Sequence, residues 1–169
     1  GADVLLWTGR PGDEPFDRAA LDAANPGLVI VALTPFGLDG PKAHWAATDL
    51  TIGAASCSMS LTGEAELPPL RWGSPQAWLH GAADMAVATL IALQERARSG
   101  RGQLADVSAQ ASCLQASFCY AINRAWQWPA MRRSGDGIDF GVYKIRWTYP
   151  ALDGEVSITF SFGAALAHY

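Results

Sequence analysis

A run of six apolar residues, 28–33, constrains the fold of this sequence more than any other segment. Turn-forming residues flank it, with Asn25 and Pro26 before it and a segment rich in Gly and Pro, 34–41, after it. A short, partly β-branched run without polar positions is typical of a strand buried on both faces of a parallel sheet. We therefore predict that this run forms a central strand.

The residues before this run complete a strand, helix and strand unit. Residues 3–7 have the composition of a strand, and residues 17–24 predict a short helix that Asp17 caps and Asn25 ends. This order of elements predicts a parallel βαβ unit with a right-handed crossover. The loop after the central strand then lies at the carboxyl edge of the sheet, where open α/β sheets bind their ligands.

The rest of the chain adds helices and further strands. Apolar residues surround the axis of a predicted helix at 77–98, which we expect to be buried on most sides. Gly100 and Gly102 follow it and supply the left-handed positions that end helices. The remaining predictions are a helix from Asp49 to about Ser60 capped by Thr48, a strand at 103–107, a helix from Ala109 to about Trp126, and a strand at 155–160.

Both ends of the sequence are abrupt. The first residue is not Met, and the chain enters a strand-like segment without a lead-in. The predicted strand at 155–160 has no obvious partner, because the chain stops soon after it. We therefore expect a fragment of a longer protein.

Composition excludes several classes of protein. Twelve Lys and Arg against 16 Asp and Glu give a formal charge of -4, which provides no broad positive field for nucleic acid. The longest apolar stretch, 82–93, contains Asp84 and is too short to cross a bilayer. The three cysteines and three histidines are scattered, so we expect no disulfide scaffold and no metal site. We expect a cytoplasmic protein.

The segment 99–108, Ser-Gly-Arg-Gly-Gln-Leu-Ala-Asp-Val-Ser, resembles the TGRGQ-x-VDVS signature of the class III CoA-transferases. Other segments that are similar to the family follow the same order along the chain: 2–6 with 10–12, 25–26, 36–37 with 40–41, 49–50, 61–63, 68–71, 149–150 and 153–154. The resemblance implies a Rossmann-like parallel sheet with flanking helices. Residues 1–130 would be part of the large domain, and residues 131–169 a linker and the start of a truncated small domain.

The resemblance also implies a reaction. Family transferases use an Asp at the start of the helix before the signature to form an anhydride with the acyl group and then a thioester with CoA. Counting back from the signature places Trp78 at that position, and an indole cannot form an anhydride. The nearest candidates for catalysis are His80, as a general base or carbonyl donor, and Gln76, as a donor to a carbonyl. Asp84 is a further carboxylate on this helix, which we expect to be buried or at an interface and paired with an Arg.

Coenzyme A, as the acyl-CoA substrate, is the ligand that the resemblance implies. Arg10 is the predicted phosphate contact, because a guanidinium can bind a phosphate through two hydrogen bonds. Lys42 and His44 add positive charge at the same rim. The residues at the positions of the two family segments that contact CoA are Thr8, Gly9 and Arg10, and Ala46, Ala47, Thr48 and Asp49.

Two functions remain open at this point. The first is a CoA-transferase that moves CoA between an acyl-CoA and a small carboxylic acid. The second is a non-catalytic homologue that binds CoA thioesters or forms a structural half of a heteromeric transferase, which Trp78 favours. An acyl-CoA racemase is less favoured, because Thr48 stands where that branch of the family has a His. The resemblance implies an interlocked homodimer, and we expect the abundant tryptophans, such as Trp126 and Trp128, to pack at that interface.

Overall fold

The computed structural model describes residues 1–116, 126–127, 133–139, 142 and 144–158. Its main body is a three-stranded parallel sheet with helices packed against it. The strands are β1 (Val4–Thr8), β2 (Val29–Thr34) and β3 (Leu104–Ser108), in the spatial order β1, β2, β3. The predicted α/β architecture with a parallel sheet is confirmed.

Strand β2 lies at the centre of this sheet and is buried along its whole length. Leu6 of β1 pairs with Val31, and Val31 pairs in turn with Ala105 of β3. Val29, Val31 and Leu33 belong to one apolar cluster with residues of the helices. The continuous apolar pattern of 28–33 follows from this position, since neither face of β2 meets solvent.

Helix α1 (Arg18–Ala24) forms the crossover between β1 and β2. The carboxylate of Asp17 accepts hydrogen bonds from the amides of Ala19 and Ala20, as an N-cap does. Asn25 follows the helix, and its backbone amide donates to the carbonyl of Leu21. Both predicted ends of this helix are therefore confirmed.

Helix α2 (Asp49–Ala55) is shorter than the sequence predicts. Its start is as expected, because Thr48 and Thr51 form a reciprocal capping box. Cys57, however, adopts a left-handed conformation with φ 63°, and a 3-10 turn, Ser58–Leu61, replaces the rest of the helix. The prediction of one helix to about Ser60 is wrong at its end, since residue 57 leaves helical geometry.

Helix α3 (Gln76–Ser99) packs on β2, β3, α2 and the next helix. Gly81 lies so close to β2 that an added Cβ would be 2.7 Å from a methyl of Leu33. Gly100, with φ 72°, ends the helix as predicted. The prediction that α3 is buried on most sides is wrong in the described part of the chain, where one face packs and the other exposes apolar residues, namely Leu79, Val87, Leu90 and Ile91.

Helix α4 (Ala109–Ala116) follows β3 directly, and the Ser108 hydroxyl accepts a hydrogen bond from the amide of Ala111. The predicted continuation to about Trp126 passes through residues outside the described set, and so does Trp128. Trp126 is described and is 61% exposed. No helix in the described ranges is long and apolar enough for a membrane span.

Two short antiparallel pairs follow α4. Strand β4 (Ile138–Asp139) pairs with β5 (Lys144–Ile145), and β6 (Thr148–Pro150) pairs with β7 (Glu155–Ser157). The expectation that the last strand has no partner is wrong, because β6 is only a few residues away across the turn at 151–154. The rest of that predicted strand, 159–160, lies outside the described residues.

Arg133 connects this carboxyl-terminal region to the loop after the 3-10 turn. Its guanidinium donates hydrogen bonds to the backbone carbonyls of Ser60, Glu64 and Leu67. A second contact joins the amide of Gly135 to the carbonyl of Gly63. One side chain thus satisfies several carbonyls of a loop that has no regular partner of its own.

Candidate functional site

The loop after β2 is held in a fixed shape at the carboxyl edge of the sheet. The buried Thr34 hydroxyl accepts a hydrogen bond from the amide of Gly37 at 2.8 Å. The carboxylate of Asp106 in β3 accepts one from the amide of Leu38 at 2.9 Å. Gly37 has φ 98°, which favours glycine at the turn. Side chains of β2 and β3 therefore hold the loop at the predicted ligand-binding edge in one conformation.

The first predicted CoA-contact segment, Thr8, Gly9 and Arg10, continues directly from β1 at this edge. Thr8 is exposed, and the amide of Gly9 donates to the carbonyl of Leu33. The Arg10 guanidinium contacts the carboxylate of Asp13 at 3.0 Å, and both side chains are about half exposed. An exposed ion pair of this kind contributes about 0–1 kcal/mol, so a stronger anion can replace Asp13.

The residues just before the second predicted segment contact the residue just after the first. The Nδ1 atom of His44 donates a hydrogen bond to the carbonyl of Pro11 at 3.2 Å. The ammonium of Lys42 lies 5.5 Å from the ring centre of Trp45, and that ring packs edge-on against Phe36. The second segment itself consists of Ala46, which is exposed, Ala47, which is half-buried, and Thr48 and Asp49, at the start of α2.

The amino-terminal end of α3 carries the predicted catalytic residues. Trp78 is half-buried and packs against the apolar cluster. The amide nitrogen of Gln76 donates to the hydroxyl of Ser74 at 2.7 Å, so this side chain is held by its own loop. His80 is half-buried and lies two positions after Trp78 and four after Gln76, just beyond the first turn of the helix. The structure places these side chains on one short stretch of α3.

Asp49 also lies at this place, although the sequence reasoning assigned it only to the CoA-contact segment. It is the first residue of α2 and is 9% exposed. Its Oδ1 atom accepts a hydrogen bond of 3.0 Å from the backbone amide of Ala77, in the first turn of α3. Within the described part of the chain, its Oδ2 atom is buried and has no hydrogen-bond partner. Such an unsatisfied atom costs about 1–3 kcal/mol.

The sequence contains only a weak signal for this contact. An acidic residue after an N-cap is common in the first turn of a helix, where the helix dipole attracts negative charge. That local explanation accounts for Asp49 without a second helix. The contact with Ala77, 28 positions away, depends on the packing of α2 against α3.

Two cavities lie outside this first turn. One, of about 320 Å³, lies on the sheet face beneath the loop after β1 and is lined by Trp7, Phe16 and Leu38, among others. The other, of about 280 Å³, lies between α3, β3 and α4, where Asp84 and Asp106 line it. Asp84 forms no ion pair with an Arg among the described residues, contrary to the expectation. No cluster of three or more metal-binding side chains occurs within those residues.

Comparison with known proteins gives three concordant results. The model of the CoA-transferase family III matches residues 1–167. A subunit of succinyl-CoA:(R)-benzylsuccinate CoA-transferase from Thauera aromatica, BbsE, is 33% identical over 96% of this chain and 39% of its own length. A CAIB/BAIF family protein from Brucella suis has a similar structure, with a TM-score of 0.81 and 28% identity over 91% of this chain and 41% of that chain.

A further relative is similar over a shorter range. The acetyl-CoA:oxalate CoA-transferase of Acetobacter aceti is 37% identical over 63% of this chain and 28% of its own length. The chain thus spans about two fifths or less of the proteins that it matches. The family resemblance found in the sequence is confirmed, together with the Rossmann-like α/β fold. This chain belongs to the CoA-transferase family III.

Proposed function

We propose that this chain supplies the CoA-binding part of a transferase that moves CoA between an acyl-CoA and a carboxylic acid. The observation that carries the proposal is the hydrogen bond from His44 to the carbonyl of Pro11 at the carboxyl edge of the sheet, which joins residues next to the two predicted CoA segments. Family membership supports the ligand, and the relatives' names each combine a CoA thioester with a carboxylic acid.

Arg10 and Lys42 supply positive charge for the phosphates of CoA in this proposal. Arg10 is free to exchange the exposed carboxylate of Asp13 for a phosphate, to which it offers two parallel donors. Lys42 is held against the face of Trp45, which keeps its ammonium near the loop. Both side chains lie on segments that begin at strand ends, so the sheet fixes their approximate positions.

For the chemical step, His80 and Gln76 are the proposed participants among the originally predicted residues. An imidazole can move a proton or donate a hydrogen bond near neutral pH. The amide of Gln76 can donate to a thioester carbonyl if it releases Ser74. Neither side chain restores the carboxylate that Trp78 replaces.

A second candidate function is a non-catalytic CoA-thioester-binding subunit or the structural half of a heteromeric transferase. The packing of Trp78 against the apolar cluster supports it, because this indole then serves the core at the position where the resemblance implies the family's nucleophile. The BbsE relative is itself named as a subunit. Racemase chemistry is disfavoured, since the Thr48 hydroxyl is engaged as a helix cap by the amide of Thr51.

The proposal extends to the whole protein. Residues 1–130 would form part of the large domain and residues 131–169 the linker and start of a small domain. The full-length protein would be an interlocked homodimer in the cytoplasm, with acyl-CoA and a small carboxylic acid as its ligands.

The experiment is CoA transfer by the full-length protein, with acetyl-CoA and succinyl-CoA as donors and a panel of dicarboxylic acids as acceptors. Calorimetry with CoA is run in parallel. Transfer supports the first function, and CoA binding without transfer from either donor supports the second. Absence of CoA binding contradicts the first function and the CoA-thioester-binding form of the second, and leaves only the structural half.

A further inference from the structure

Gln110, the second residue of α4, contacts two distant parts of the chain. Its backbone amide donates a hydrogen bond to the carbonyl of Pro35 at 3.0 Å. Its side-chain nitrogen Nε2 donates a hydrogen bond to the carbonyl of Ala55 at 2.8 Å. Pro35 directly follows β2, and Ala55 is the last residue of α2. Gln110 therefore holds the segment 35–55 at both of its ends.

Both hydrogen bonds satisfy groups that helices leave unpaired. The first amides of a helix have no carbonyl partner within it, and the last carbonyls have no amide partner. The amide of Gln110 belongs to the first turn of α4, and the carbonyl of Ala55 belongs to the last turn of α2. The Gln110 side chain is half-buried, so the loss of its donor leaves this carbonyl poorly solvated.

The segment 35–55 contains the second predicted CoA-contact segment, 46–49. Helix α2 starts within that contact segment, with Thr48 as its N-cap. It has seven residues and is about 10 Å long. A helix of two turns moves as one rigid body, so a displacement of Ala55 at its end also displaces Thr48 at its start.

The backbone just after α2 has a reason to move if it is released. Cys57 has φ 63°, a left-handed conformation that is unfavourable for a residue with a side chain. Such a conformation persists where its surroundings fix it. Gln110 fixes Ala55 before this residue, and the hydroxyl of Ser58 after it donates to the carbonyl of Cys113. Helix α4 therefore holds this turn from both sides.

We propose that Gln110 is a positioning residue for CoA, which acts through the segment 35–55. Its side chain fixes the end of α2, and α2 in turn fixes the contact segment 46–49 at the carboxyl edge of the sheet. The inference rests on the CoA binding proposed above. It adds a residue to which the sequence analysis assigned no role.

The first test is Gln110→Met in the full-length protein. Methionine has a similar length and helix propensity but cannot donate a hydrogen bond. Calorimetry should show that the Kd for CoA rises about tenfold, which corresponds to about 1.4 kcal/mol, on the order of one hydrogen bond. Gln115→Met is the matched control, because Gln115 is an exposed glutamine of the same helix. Its Kd should stay within about twofold of the original.

A purely structural role predicts a different result. The lost hydrogen bond lowers global stability in either case, so urea unfolding is measured for both variants and the Kd is measured where both are folded. An unchanged Kd for Gln110→Met overturns the inference, with or without a loss of stability, and leaves the CoA proposal standing. If the unaltered protein binds no CoA, the inference and the proposed CoA binding are both overturned.

Hydrogen exchange of the unaltered protein gives a second test that needs no variant. Coupling between two sites is reciprocal, so a hydrogen bond that favours CoA binding is itself stabilised by bound CoA. CoA should slow exchange of the Gln110 amide about threefold or more, and the amides of 49–55 should respond with it. The amides of 144–157 serve as the internal reference. Unchanged exchange at Gln110 when CoA is bound overturns the inference.

Discussion

The centre of the sheet and the junction of α2 with α3 are both buried, but they are built differently. Every residue of β2 is buried, and its backbone is paired with strands on both sides. The junction instead encloses a carboxylate with one oxygen hydrogen-bonded and the other without a hydrogen-bond partner among the described residues. The first arrangement lowers the free energy of the folded state, whereas the second raises it. Buried groups that weaken a fold are most often retained where function needs them.

The largest effect should come from placing a charge in the first of these regions. Val31→Asp inserts an unpaired carboxylate at a position with no solvent exposure, and we expect the unfolding free energy to fall by about 4 kcal/mol or more. Leu6→Asp is the control, because Leu6 pairs with Val31 across the sheet but is 58% exposed. Urea unfolding of the full-length protein measures both. If both variants lost the same unfolding free energy, strand β1 at the edge of the sheet would be as fully buried as the central strand β2.

The next effect concerns the amino-terminal end of α3. His80→Ala should lower the rate of CoA transfer about 10²-fold if His80 moves a proton or orients the thioester. The CoA affinity should not change, since the predicted phosphate contacts lie on other segments. Steady-state kinetics and calorimetry check the two quantities. A rate within twofold of the original would remove His80 from the reaction.

A substitution at the junction of α2 with α3 tests whether the buried carboxylate there contributes to the stability of the fold. Asp49→Asn should change the unfolding free energy by no more than about 1 kcal/mol, because the amide oxygen still accepts from Ala77 and a buried charge is removed. Thermal unfolding of the full-length protein measures the change. A loss of more than about 3 kcal/mol would identify Asp49 as a structural tie between the two helices.

The smallest effect lies at the opposite end of α3. A hydrogen bond from Arg96, together with its charge, lowers the pKa of Asp3. A lowered pKa means that the contact stabilises the fold above the ordinary range of an aspartate and is lost as the pH falls through the lowered value. Arg96→Met should raise the pKa of Asp3 toward that range, whereas Arg98→Met, which is exposed nearby, should not. An NMR titration of the Asp3 carboxyl distinguishes them, and equal values in both variants would contradict the assignment.

Local patterns were sufficient for much of the fold. The apolar run 28–33, the cap at Asp17 and the left-handed Gly100 each specify their structure within a few residues, and each was confirmed. The end of α2 was not predictable in this way. The Ser58 hydroxyl donates to the carbonyl of Cys113, a residue 55 positions away, in the same segment where Cys57 leaves the helix. The pairing of β7 with β6 was missed because a three-residue strand gives almost no periodic signal.

The sequence by itself determined the parallel sheet, its family and the absence of a carboxylate at position 78, because each of these depends on residue order along the chain. Only the tertiary structure decided that Asp49 reaches the first turn of α3. That contact joins residues 28 positions apart through the packing of two helices, and no local pattern encodes the distance between them. Within the part of the chain that the structure describes, the same packing leaves one carboxylate oxygen without a partner, which is a property of three-dimensional burial and not of residue order.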